Sequence, residues 1–155
     1  MTSDAYQCLL FPRFEQRLLL LRTRVRFLKK RDPDYKQHKD TKLLVATWKV
    51  MKESLADPSH SRYQLGNTLG KANRHWRRCK KGLPPRYRLF FQFQSIKKTC
   101  IYVWLNDANT LRKAGDRNDV YETFKHFLSN GVIPQDFFDL LEVSRKAVDA
   151  DWSED

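Results

Sequence analysis

Long apolar runs are missing from this chain. The longest leucine run is Leu18–Leu21, with arginines close on both sides, so no segment reads as a membrane span, which needs about 20 apolar residues. The N-terminal stretch MTSDAYQCLLFPRF holds an apolar run of only four residues, too short for the core of a secretory signal. Cysteine is scarce: Cys8, Cys79 and Cys100 stand far apart with no Cys-x-x-Cys pair. That argues against a disulfide framework and a zinc site, and a reducing cytoplasm is the expected location. Glycine is sparse as well. The one pair that invites a phosphate-loop reading, GNTLGKA at 66–72, has three residues between its glycines and Ala72 after Lys71. A phosphate loop wants four residues there and Ser or Thr after the lysine, so a turn is the better reading. Repeats and low-complexity tracts are absent too.

Acidic side chains are the most informative shortage. Against 30 Lys and Arg stand 18 Asp and Glu, a net charge of +12. The imbalance is concentrated. Residues 1–131 carry 28 basic and 11 acidic side chains, and residues 132–155 carry 2 and 7. A basic body favours a polyanion, with nucleic acid ahead of an acidic protein and an anionic membrane. From Arg74 to Arg88 seven cations occur with no acid, where the average composition would give about three cations and two acids.

What is present supports one folded domain. The 155 residues suffice for one core, and hydrophobic content of 41% with ten Phe, six Tyr and four Trp is that of a globule. Tyr6–Phe11 reads as a short strand closed by Pro12. Phe14, Leu18, Leu21, Val25 and Leu28 recur at helical spacing and predict a helix over 13–31. RDPDYK breaks it, and a second helix with Leu44, Trp48, Met51 and Leu55 on its stripe runs from about Lys36 to Leu55. After a polar loop over 56–74 come three strand candidates, His75–Lys81, Arg86–Gln94 and Thr99–Leu105, with short connections that favour antiparallel pairing. Asp119-x-x-Glu122 is the pattern of a capping box opening a helix with Tyr121, Phe124 and Leu128 on its stripe. A last, acidic helix is expected from about Asp136. It is read as a solvated tail or as a partial mask folding back on the basic face. The order describes an α+β domain: an antiparallel-rich sheet of about four strands packed against an N-terminal helical hairpin and C-terminal helices.

Alternation along the strands places the charge. Trp76, Arg78 and Lys80 share one face of their strand, and Arg77, Cys79 and Lys81 the other. Leu89, Phe91 and Phe93 must face the helices, so Arg86, Arg88, Phe90 and Gln92 point away from them. Pairing then sets Arg78 and Lys80 beside Arg86 and Arg88. The expected result is an open basic face able to hold phosphates, with Trp76, Tyr87 and Phe90 near as stacking platforms or as core. Like charges side by side repel unless an anion sits among them. By the same phase Tyr87 groups with the core. His75 is either a proton-transfer group or a surface histidine stacked on its neighbour. His38, His60 and His126 have no partner at catalytic or ligand spacing. Asp107 after Asn106 reads as the organiser of a turn.

RDPDYKQHKDTKLL, GNTLG, HWRRCKKGLPPRYRLFF, VWLNDANTLRKAG and DVYETFKHFLSNG, in order from about Phe11 to Leu141, together resemble the YhaV-type toxins, RelE-like mRNA interferases of toxin–antitoxin pairs. The resemblance implies a RelE-like fold and cleavage of mRNA, on or off the ribosome. It implies a PrlF-like antitoxin partner, and a toxin–antitoxin complex able to bind operator DNA. The implied chemistry is attack of a ribose 2′-OH on its own phosphate, with no metal and no cofactor. It needs a base, an acid and cations around the phosphorane. On the residues that match, Arg78 is the expected main phosphate ligand and Lys80 the base or an electrostatic helper. Arg88 and Arg112 are further phosphate contacts, His75 a candidate acid or base, and Arg74, Trp76, Arg77, Lys81 and Arg86 are expected to line the RNA. Arg77, a large cation at a position where the family pattern is less fixed, and the two prolines of KKGLPP depart from that pattern. Other functions compatible with the same basic face are a non-catalytic nucleic-acid-binding regulator and a surface that holds an acidic partner.

Overall fold

In the computed structural model, which describes residues 5–155, a first strand β1 (Gln7–Leu10) leads directly into helix α1 (Pro12–Arg31). Proline at the first helical position is pre-set for the helix and loses no bond there. The predicted stripe is the buried one: Phe14, Leu18, Leu21 and Val25. Past Asp32 and Pro33 the chain makes one 3₁₀ turn over Tyr35–Gln37 before α2 (Lys39–Ala56), so the second helix starts three residues later than its pattern suggested. Leu44, Met51 and Leu55 are buried, and half-buried Trp48 donates from Nε1 to the carbonyl of Asp151 at 2.9 Å.

Three strands follow, β2 (Arg77–Cys79), β3 (Leu89–Gln94) and β4 (Thr99–Leu105), then α3 (Val120–Ser129), α4 (Phe137–Val143) and a two-residue strand β5 (Arg145–Lys146). The sheet has five strands in the order β2-β3-β4-β1-β5 and is mixed: β1 runs parallel to β4, and all other pairs are antiparallel. The helical hairpin α1–α2 supplies part of the long connection that parallel strands require. Among the described residues no helix is long and apolar enough to cross a membrane.

Both faces of the sheet are covered, and this corrects the expectation of an open basic face. Leu89, Phe91, Cys79 and Tyr102 pack with α1 and α2. On the other side Phe90, Ile101, Val103 and Trp104 pack with Val120, Tyr121, Phe124 and Leu128 of α3. Phe90 stacks on Phe124 with ring centroids 4.1 Å apart, and Gln92 is only 3% exposed. The apolar stripe of α3 needed a surface to cover, and this face is where it lies. Trp76 is fully buried in the same cluster, edge-on to Phe124 at 4.9 Å, so it offers no ring face to a base.

Two strand ends also differ from their patterns. The β2 ladder spans only Arg77–Cys79, because Lys80 already begins a turn in which its carbonyl accepts from Leu83 N–H. Gly82 in that turn has φ of +93°, the left-handed region glycine tolerates at no steric cost. Strand β3 begins at Leu89 rather than Arg86, since Arg86 has φ of +74° and Tyr87 N–H bonds the carbonyl of Pro84. Arg86 and Arg88 therefore precede the strand, and its alternation does not apply to them.

The acidic C-terminal segment is not one helix, and its last residues lie along the α1–α2 hairpin and not on Arg78, Arg88 or Arg112. After α4, β5 pairs with β1 at the edge of the sheet opposite β2. The remainder lies along α1 and α2: Arg22 Nε donates to the Ser153 carbonyl at 3.0 Å, Lys29 pairs with Asp155 at 3.0 Å, and Trp152 packs against the hairpin core. Buried Asp151 receives both terminal nitrogens of Arg145 at 2.9 Å. The unpaired outer edge of β1 is the physical reason the tail forms a strand there.

Candidate active site

Register places the first cation. Arg78 pairs with Phe90 across β2 and β3, and directly paired residues share a face, so its side chain extends over the face that α3 covers. There it meets Tyr121, the second residue of α3, which is 4% exposed. The Arg78 guanidinium carbon lies 5.9 Å from the Tyr121 ring centroid and that of Arg112 lies 5.0 Å from it. Arg88 Nε donates to Tyr121 Oη at 3.1 Å. Three guanidinium groups from three segments thus converge on one phenol.

Their commitments differ. Arg88 is 8% exposed and also donates from Nη1 to the carbonyl of Tyr87 at 2.8 Å. Arg112 is paired with Asp119 at 2.9 Å. Arg78 has one acceptor, the carbonyl of Gln64 at 2.9 Å, and its buried Nε has no partner among the described residues. Burial first, and then the fields of Arg88 and Arg112, push the Arg78 pKa down against an opposing pull from Tyr121. A guanidinium stays protonated through such a shift, so the cluster holds repulsion that an incoming anion relieves.

Asn106 and Asp119 hold the segments that carry these arginines. Asn106 is fully buried at the end of β4. Its Oδ1 accepts from the backbone N–H of Arg88 at 2.8 Å, and its Nδ2 donates to the carbonyls of Thr110 at 2.8 Å and Arg86 at 3.2 Å. Arg86 and Arg112 are tied by a reciprocal pair, Arg112 N–H to the Arg86 carbonyl at 2.9 Å and Arg86 Nε to the Arg112 carbonyl at 3.0 Å. Asp107 organises the intervening turn, its Oδ1 accepting from Asn109 N–H at 2.9 Å and from Thr110 Oγ1 at 3.0 Å.

Asp119 is the N-cap of α3, accepting from Tyr121 N–H at 3.0 Å, from Lys113 N–H at 2.6 Å and from Arg112. The reciprocal half of the capping box is not made, since Glu122 pairs with Lys125 at 2.9 Å instead. Burial alone would raise the Asp119 pKa. The Lys113 N–H, Arg112 and the Tyr121 N–H outweigh it and hold the carboxyl below its ordinary 3.8. A depressed carboxyl contributes stability that is present above its unfolded pKa and lost as pH falls through the folded value. Wild-type melting temperature is therefore expected to fall on acidification below about pH 4. Asp119→Asn should lie lower at neutral pH and slope less in that acid window, as a pH series of thermal melts would show. A parallel slope in the variant would remove Asp119 from the acid transition.

A cleft of about 420 Å³ opens beside the cluster, lined by Thr68, Arg112, Gly115, Asp119, Tyr121 and Glu122 among others. Of the remaining residues singled out from the sequence, Arg86 adjoins it through Arg112 and the others lie apart. Lys80 and Lys81 line a small pocket with Val50, Glu53, Arg62 and Tyr63, on the side of α2. His75 is exposed and bonds the carbonyl of Gln135 through Nε2 at 2.9 Å. Arg74 is bonded to Asn67 Oδ1 at 3.1 and 2.5 Å, and Arg77 to the carbonyls of Arg74 and Trp76. Arg86 lines a second, smaller cleft with Asn109 and Lys113. Tyr87 packs partly buried against the α1–α2 cluster, and burial pushes its hydroxyl pKa up. The cysteines are free; burial first pushes the thiols of Cys8 and Cys79 up to about 12, which keeps them from acting as nucleophiles at neutral pH.

Tyr121, Asp119 and Asn106 enter the site from the structure. The sequence marked Tyr121 as a stripe residue, Asp119 as a cap and Asn106 as a turn neighbour. Besides lying in the blocks that resemble the family, they carry a signal of position: a cap and an aromatic set together, and an amide at the end of an all-apolar strand.

Residues 8–145 match the YhaV toxin family, described as toxins with endonuclease activity, of toxin–antitoxin systems. Among curated proteins, Toxin YhaV of Escherichia coli O6:H1 is 36% identical over 139 residues, covering 88% of this chain and 90% of the relative. Ribonuclease toxin YhaV of Escherichia coli K12 is 38% identical over 129 residues, covering 81% and 83%. No solved structure matches the chain. The chain belongs to the YhaV family of toxins with endonuclease activity, of toxin–antitoxin systems.

Proposed function

We propose that this chain is a RelE-like endoribonuclease that cleaves mRNA and so inhibits growth, and that a PrlF-like antitoxin neutralises it. The convergence of Arg78, Arg88 and Arg112 on Tyr121 carries the reading. The scissile phosphate sits among the three guanidiniums, with the adjoining nucleotide in the cleft beside Arg112. The 2′-oxygen attacks phosphorus as its proton leaves to a base. The phosphorus–5′-oxygen bond breaks as that oxygen takes a proton, leaving a 2′,3′-cyclic phosphate and a 5′-hydroxyl. The developing charge on the equatorial oxygens is met by fixed cations, which need no reorganisation at that moment. The name of the K12 relative, a ribonuclease toxin, supports RNA as the substrate.

Purified protein incubated with RNA, with and without ribosomes, is expected to yield 2′,3′-cyclic phosphate and 5′-hydroxyl ends. Salt-sensitive binding with no new ends in either condition would leave a binding module in place of the nuclease.

A further inference from the structure

We propose that an acidic, apolar-anchored segment of the antitoxin docks in a cleft on α2, away from the arginine cluster. The cleft, of about 540 Å³, lies between the first half of α2 and the Gly82 turn. Its aliphatic floor includes Val45, which is 47% exposed, and Ala46. Lys36, Lys42 and Lys49 rim it, and among the described residues none of the three is in an ion pair. Among the described residues the one carboxylate on the lining, Glu154, is engaged by Tyr35 Oη at 2.7 Å.

Thr41 adds an independent sign of a missing partner. It is 2% exposed, lines the cleft, and its buried Oγ1 has no hydrogen-bond partner among the described residues. A buried unpaired hydroxyl is costly enough to be rare. It stands in the first turn of α2, whose N-cap His38 makes no side-chain cap.

The chain's own tail shows what this hairpin accepts. Residues 151–155, DWSED, place one aromatic, Trp152, against the core, under Lys52 at 5.5 Å, and pair Asp155 with Lys29. Glu154 of this segment lines the cleft, and among the described residues the lysines on its rim have no ion-pair partner. An acidic strand with an apolar anchor continues that pattern by charge complementarity. RNA fits less well, because no aromatic side chain lines the cleft to receive a base.

The inference rests on membership of a toxin–antitoxin family and not on the cleavage chemistry. Its test compares wild type with Lys42→Glu/Lys49→Glu, Lys42→Gln/Lys49→Gln and Val45→Asp, all at solvent-exposed positions. Each is titrated with the cognate antitoxin, and the free toxin is assayed for RNA binding and cleavage. Antitoxin Kd should weaken by about tenfold or more in the reversal variant and by less in the glutamine variant. Val45→Asp should weaken it too, while RNA binding and cleavage by the free toxin stay within about twofold. Unchanged antitoxin affinity overturns the inference. So does a parallel loss of RNA affinity, which would make the cleft part of an RNA track. A wild type that does not cut RNA would count against the nuclease chemistry, and the titration would still decide the docking site.

Discussion

Arg78→Ala should lower RNA cleavage by about 10²–10³-fold, the usual effect of removing one preorganised donor to a charged transition state. Arg78 is singled out from its two neighbours by what each already holds. Arg88 is spent on Tyr121 and the Tyr87 carbonyl, and Arg112 on Asp119. Among the described residues Arg78 makes a single bond, to a backbone carbonyl, and has an unpartnered Nε, so it can turn its donors to a phosphate at least cost. Arg78→Lys keeps the charge and loses the planar fork, and should fall between alanine and wild type. The fold should survive both changes, because β2 is an edge strand and Arg78 contributes no buried apolar surface to either core. Full cleavage by a folded Arg78→Ala protein would move the phosphate away from this cluster.

Periodicity made the scaffold legible and stopped at the places where elements end. The α1 and α2 stripes and the Leu89, Phe91, Phe93 face of β3 are where spacing put them. Alternation also assigned Phe90 and Gln92 to the opposite face correctly, but it does not say whether a face is open. The stripe of α3, with Phe124 stacking on Phe90, supplied that answer, and charge density in the neighbouring stretch had pointed the other way. Lys80 shows a second limit. Period-2 reasoning carried it onto the face of Arg78, yet the ladder ends at Cys79 and the turn through Gly82 takes Lys80 to the α2 side. Arg112 entered the reading only through family resemblance, since nothing local announces that a loop residue far along the chain will return to Arg78. The acidic tail misled for a related reason. Its composition is that of a solvated helix, while the vacant edge of β1 offered a ladder that composition cannot reveal.

The convergence of the arginines depends most on a residue that contacts no substrate in this reading. Replacing Asn106 by alanine strands the buried Arg88 N–H and takes the donor from the partly buried Thr110 carbonyl, while the Arg86 carbonyl loses one of its two donors and keeps the Arg112 N–H. Each stranded group costs about 1–3 kcal/mol, and partial relaxation toward water brings the expected loss to about 3 kcal/mol in a denaturant titration. The same bonds fix Arg88 at the mouth of β3 and, through Thr110 and the Arg86–Arg112 pair, fix Arg112. Misplacing such groups by about 1 Å is enough to cost up to 10²-fold in rate. Cleavage by the folded fraction should therefore drop about tenfold or more, chiefly in kcat, at temperatures well below the melting transition. A purely structural Asn106 predicts a different pattern: lower stability with wild-type kcat in the folded protein. That result would uncouple the arginine geometry from the amide at the end of β4. A loss in kcat that persists when the variant is kept cold and fully folded would establish Asn106 as the positioning residue of the site.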